Sequence, residues 1–177
     1  VSGATAADYA WLAELCTDGD GDAGLCLTFV RGLSPDEAFR RIGAVPDATD
    51  GCRVGGYSAH GGTVLEYEWA GMLWEQSVPL SAGTVAATVF VDLKHDDFCY
   101  LVDGRRVSSF CWFAYSLRDG VFPDPLLADV HELGLDRDDS TEEPLPNALA
   151  LAERATGVRL QRADFVRPSL MGSIRRA

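Results

Sequence analysis

Between residues 63 and 115 apolar and polar positions alternate with a period of two, on β-branched and aromatic side chains. On both sides of that stretch the spacing lengthens to a helical period. Five strands are predicted, over 63–69, 72–77, 84–93, 98–102 and 105–115. Asp103-Gly104 is a type I′ hairpin signal, 94–97 a four-residue loop and Ala70-Gly71 a weaker turn. Before the strands, Thr5 caps a helix whose apolar stripe is Tyr9, Leu12, Ala13 and Cys16, and a second helix is expected over 23–31, ending at Gly32. Ser34, Pro35 and Glu37 then supply an N-cap, a first-turn proline and a capping-box carboxylate, and Gly43 closes the third helix. Residues 45–52 read as a polar linker. After the strands come a helix from Asp124 and Pro125 to Gly134 and another over 146–156, closed by Gly157, with an acidic loop from Asp136 to Glu143 between them. The expectation is an α+β fold: one domain over 1–160, a five-stranded antiparallel meander flanked by N-terminal and C-terminal helices, and a basic tail over 161–177.

The hairpins imply a register. Pairing Val102 with Arg105 sets Cys99 opposite Ser108, and pairing Leu93 with Phe98 extends the alternation to a third strand. One face then collects Val89, Val91, Phe98, Tyr100, Val107, Cys111 and Tyr115 as the core. The other is mixed, with small residues around Phe90, Phe110 and Trp112: a floor under the N-terminal helices, a partner or dimer surface, or a ligand cleft. Cys99 and Cys111 fall on opposite faces. In the first hairpin Glu66 lies opposite Glu75 with Glu68 adjacent, a like-charge cluster that solvent, an arginine or a cation must relieve.

Composition changes this picture mainly through charge. The net charge is −12 over 177 residues. Residues 1–50 carry 9 acids and 3 bases and residues 121–158 carry 9 and 2, whereas 159–177 hold five arginines against Asp164. An acidic body argues against nucleic acid as its partner, because neutralising phosphates takes a basic face; the objection is weaker for the arginine-rich end. The arginine-rich end is expected to dock on that body through Arg159, Arg162 and Arg167. No apolar run reaches the roughly 18 residues of a membrane span. Five cysteines, no Cys-x-x-Cys spacing and no secretory segment point to reduced thiols in the cytoplasm.

Catalytic signatures are sparse. The acidic stretch 17–22 fails as a calcium loop, because Ala23 stands where the turn needs glycine and Phe29 where a bidentate glutamate belongs. His60, His95 and His131 form no zinc spacing, and neither a serine-hydrolase elbow nor a phosphate-binding glycine loop occurs. His95 beside Asp96 and Asp97 has the parts of a proton shuttle and equally those of a surface turn. No cofactor or metal is called for.

Residues 26–44, with Arg31-Gly32-Leu33-Ser34-Pro35-Asp36-Glu37 at their centre, resemble a domain-of-unknown-function family of small acidic actinobacterial proteins. Similar stretches follow in the family's order at 53–57, 80–84 and 148–159. A Phe-Glu-Pro step of the family is replaced here by Phe113-Ala114-Tyr115. The resemblance brings no catalytic residue with it. The expected function is a non-catalytic cytoplasmic binding protein, adaptor- or immunity-like, meeting a protein partner or a second copy. Glu66, Glu68, Glu75, Phe90, Phe110 and Trp112 are its candidate contact residues. The alternative is a cofactor-independent small-molecule enzyme, such as a cyclase or isomerase, with an aromatic-lined cleft.

Overall fold

Four of the five expected strands form, and they are only half of one sheet. The structure, a computed structural model, describes residues 3–17, 24–68, 73–92, 96–137 and 144–175, with backbone alone at 16–17 and 73–76. In chain order the elements are α1 (Ala6–Thr17), β1 (Leu25–Arg31), α2 (Pro35–Ile42), β2 (Val45–Pro46), β3 (Cys52–Ala59), β4 (Gly62–Tyr67), α3 (Leu73–Leu80), β5 (Val85–Val91), β6 (Asp96–Val102) and β7 (Arg105–Cys111). A 3₁₀ turn at Tyr115–Leu117, α4 (Leu127–Glu132), α5 (Leu145–Thr156), a second 3₁₀ turn at Asp164–Val166 and β8 (Leu170–Ile174) complete the chain. The loop at 18–22, the Ala70-Gly71 turn, His95 and the acidic stretch 138–143 lie outside the described residues.

The fold is α+β with one antiparallel sheet, but of eight strands in the order β2-β8-β3-β4-β1-β5-β6-β7. It is not the expected five-stranded meander. The main reason is β1, expected as a helix, which inserts between β4 and β5. Every residue of β1 except Arg31 is buried. A short apolar run buried on both sides carries no period by which a strand differs from a helix. Of the strand expected over 72–77, residues 73–77 instead enter α3. The segment 45–52 contributes β2 and the start of β3, and the arginine-rich end of the chain contributes β8, paired with both β2 and β3.

Helices cover both faces. Tyr9 and Leu12 of α1, Val130 of α4 and the alanine- and leucine-rich side of α5 pack on Leu27, Phe29, Val64, Val89 and Phe98. On the opposite face Ala38, Phe39 and Ile42 of α2 and Leu80 of α3 pack on Cys26, Val30, Leu65, Ala86 and Leu101. Local chemistry makes α2 well defined: the Glu37 amide donates to Ser34 Oγ at 3.2 Å, and Gly43 ends the helix in the left-handed region. Its Phe39 presses so closely on β3 that a Cβ at Gly56 would lie 3.0 Å from the ring.

The β6–β7 hairpin starts as expected, Val102 opposite Arg105, and then slips. Leu101 faces Arg106 but Tyr100 faces Ser108, so Val107 is left over as a β-bulge. Cys99 therefore faces Ser109, and Phe98 faces Phe110. One extra residue reverses every later side chain of β7. Cys111 consequently moves to the face of Cys99, and both are free thiols. Between β5 and β6 the partner of Phe98 is Val89, not Leu93, a four-residue shift that leaves the faces unchanged. No helix among the described residues is long and apolar enough to cross a membrane.

Candidate functional site

The six residues singled out from the sequence are not gathered in one place. Glu66 lies on β4 between Leu27 and Gly55, half-buried, and accepts a hydrogen bond from the Tyr57 hydroxyl at 2.6 Å. Burial first, and the neighbouring carboxylate second, push the Tyr57 phenol above its ordinary pKa. Glu68 is exposed and only loosely paired with Arg53, at 3.9 Å. Glu75 is in α3, so the expected cross-strand opposition to Glu66 does not form. Phe90 is buried on the α2–α3 face, whereas the bulge sends Phe110 and Trp112 to the α1–α5 face. The aromatic trio is thus divided by the sheet. His60 meets Arg159 through a backbone bridge, and Arg159 also pairs with Asp8 at 3.0 Å.

Sequence reading missed the segment after β7. Phe98 stacks on Phe110 with ring centres 5.2 Å apart, and Phe110 meets Tyr115 edge-on at 4.8 Å, which roots the chain as it turns. The chain then runs back along the outer side of β7. Ser109 and Asp119 exchange two backbone hydrogen bonds of 2.7 and 2.9 Å, and the Phe122 amide donates to the Val107 carbonyl at 3.0 Å. Ser108 Oγ donates to the Pro123 carbonyl at 2.8 Å. Gly120 allows the close approach: its φ is +136°, and a Cβ there would lie 2.2 Å from the Val107 oxygen.

This strap protects the sheet edge and carries apolar side chains outward. Leu117 is 80% exposed, Val121 77%, Phe122 63% and Phe113 46%. With Leu127 they make up five of the nine large apolar side chains exposed among the described residues; the other four are Leu15, Val45, Val166 and Met171. Neighbouring charges cancel locally. Arg106 pairs with Asp119 at 2.8 Å, and Arg118 pairs with Asp124 while lying over the Tyr115 ring. The guanidinium of Arg118 holds the Asp124 carboxyl below its usual range. An apolar patch in a locally neutral frame on an acidic protein is suited to burying area against another surface. The only sequence signal for it was an apolar run, Val121-Phe122-Pro123, with no alternating partner.

A histidine–aspartate contact lies close by in sequence. His131, at the end of α4, meets Asp136 at 2.9 Å across the Gly134 turn, with its side chain 77% exposed. Among the described residues no three histidine, cysteine, aspartate or glutamate side chains gather as metal ligands.

The model of a family of unknown function (DUF6461) matches residues 2–68 and 54–167, and the chain belongs to that family. No curated protein and no solved structure matches it.

Proposed function

We propose that this family member is a non-catalytic binding protein, of the adaptor or immunity type, that docks on a partner protein through the strap of residues 113–127. The observation that carries the reading is the concentration of Leu117, Val121 and Phe122 on one backbone-pinned segment. An anchored segment loses little conformational freedom on binding, so its apolar area converts into affinity more completely than that of a loose loop. The acidic body steers a basic partner toward the surface, and the apolar patch supplies the contact that slows dissociation.

Free thiols at Cys26, Cys52, Cys99 and Cys111 suit a reducing, cytoplasmic compartment. Arginine at every basic position except Lys94 fits a GC-rich, actinobacterial host. The second reading, a cofactor-independent enzyme, draws on the His131–Asp136 pair.

Tagged protein recovered from its host at low and high salt tests the proposal. A stoichiometric partner is expected, retained in salt once bound and assembled more slowly as salt rises. Sedimentation showing a concentration-dependent dimer would assign the strap to a second copy instead. A monomer that recovers no partner would remove the reading.

A further inference from the structure

A cleft of about 560 Å³ opens between the start of α1 and the end of α5, lined by Ala4, Thr5, Asp8, Glu153, Arg154 and Arg159 among others. Most of its charge is already matched. Arg154, whose side chain is 6% exposed, donates to the Ala4 carbonyl, to Asp129 at 2.9 Å and to Glu132 at 3.0 Å. Asp8 receives the Thr5 amide and hydroxyl and pairs with Arg159; the backbone amide is the main cause holding its carboxyl below the usual range.

Glu153 is different. One of its oxygens takes the hydroxyl of Tyr9 at 2.7 Å, a neutral donor, and it makes no ion pair among the described residues. The burial of Tyr9 first, and that hydrogen bond second, push the phenol well above its ordinary pKa, so the tyrosine stays a neutral donor. Glu153 also sits in the last turn of α5, where the helix dipole adds negative potential, and Arg31 meets that end at the Thr156 carbonyl. A carboxylate in a cleft, held in orientation by a buried phenol and lacking a cation, is half of a charge-assisted pair.

We infer that this cleft binds a primary ammonium or guanidinium group, with Glu153 as its counterion, at a site separate from the strap. The cation donates to the Glu153 carboxylate while Tyr9 fixes the orientation of that carboxylate. Asp8 adds little attraction because Arg159 already matches it. The same cationic group is carried by free amines and by a partner's basic side chain.

Chemical-shift mapping on the full chain tests this with agmatine, n-butylamine and an end-blocked Gly-Gly-Arg-Gly-Gly peptide, and with n-butanol as the uncharged control. The amines are expected to move the amides of Thr5, Asp8 and Glu153, and n-butanol to leave them still. Tighter binding of the peptide assigns the site to a partner's side chain; tighter binding of agmatine assigns it to a free amine. Glu153→Gln should weaken binding at least about tenfold. Arg159→Ala, on a half-exposed side chain, should strengthen it about threefold by releasing Asp8. The opposite signs keep the test decisive if one variant folds poorly. No shift with any cation, or equal shifts in wild type and both variants, would overturn the inference.

Discussion

The two edges of the sheet meet the same hazard by different means. An open edge invites pairing with other chains, so it must be shortened, interrupted or covered. At one end β2 has two residues, one of them Pro46, which has no amide to offer. At the other end β7 has seven residues, and the returning strap covers them. The quiet edge exposes one large apolar side chain, Val45, at 46%; the covered edge presents Leu117, Val121 and Phe122 at 63–80%. Protection of an edge therefore does not require apolar exposure, and the strap's outward side chains need a separate reason. The proposed docking would supply it.

The largest effect is expected where the strap is rooted. Phe98→Ala removes a fully buried ring on which Phe110, and through it Tyr115, rests. It should cost about 3–5 kcal/mol in denaturant unfolding. A loss under about 1 kcal/mol would mean that the strap does not depend on this stack. Gly120→Ala comes next, at about 1–3 kcal/mol, from a backbone conformation and a close contact that a methyl group cannot accommodate. Hydrogen exchange should quicken at the Ser109 and Phe122 amides ahead of those in β1.

At the quiet edge, Pro46→Ala should change stability by no more than about 0.5 kcal/mol and leave the protein monomeric, because two residues make a poor template. Self-association of that variant would show that the proline, not the shortness, guards β2. The smallest effect concerns Glu37 on the nearby α2. Its carboxyl is held down to about 2 by hydrogen bonds from Arg40 and Arg41. A folded-state pKa below the unfolded value contributes stability above pH 4.5, lost as pH falls toward 2. The melting-temperature advantage of wild type over Glu37→Gln should accordingly shrink across that interval; a constant difference would contradict the pairing.

What could be read in advance was chemistry between near neighbours. Ser34, Pro35, Glu37 and Gly43 bound a helix through contacts a few residues apart, and they do so in the structure. Asp103-Gly104 likewise makes its turn with positive φ at both residues. What could not be read depended on distant partners. Residues 25–31 are a strand because β4 and β5 flank them. Gly55 and Gly56 are poor strand formers, and β3 exists because β4 and β8 pair with it on both sides. The candidate site suffered most. A single bulged residue, Val107, carried Phe110 and Trp112 away from Phe90, and the strap that replaced them has no periodicity to reveal it.

Docking through the strap is tested most directly by calorimetric titration of the isolated partner with two proteins, wild type and Leu117→Asp/Val121→Asp/Phe122→Asp. All three side chains are solvent-facing, so the melting temperature should correspond to a stability within about 0.5 kcal/mol of wild type. The dissociation constant should rise at least about 100-fold, as expected for the loss of a central apolar cluster. An unchanged dissociation constant, with the triple variant folded, would contradict the account.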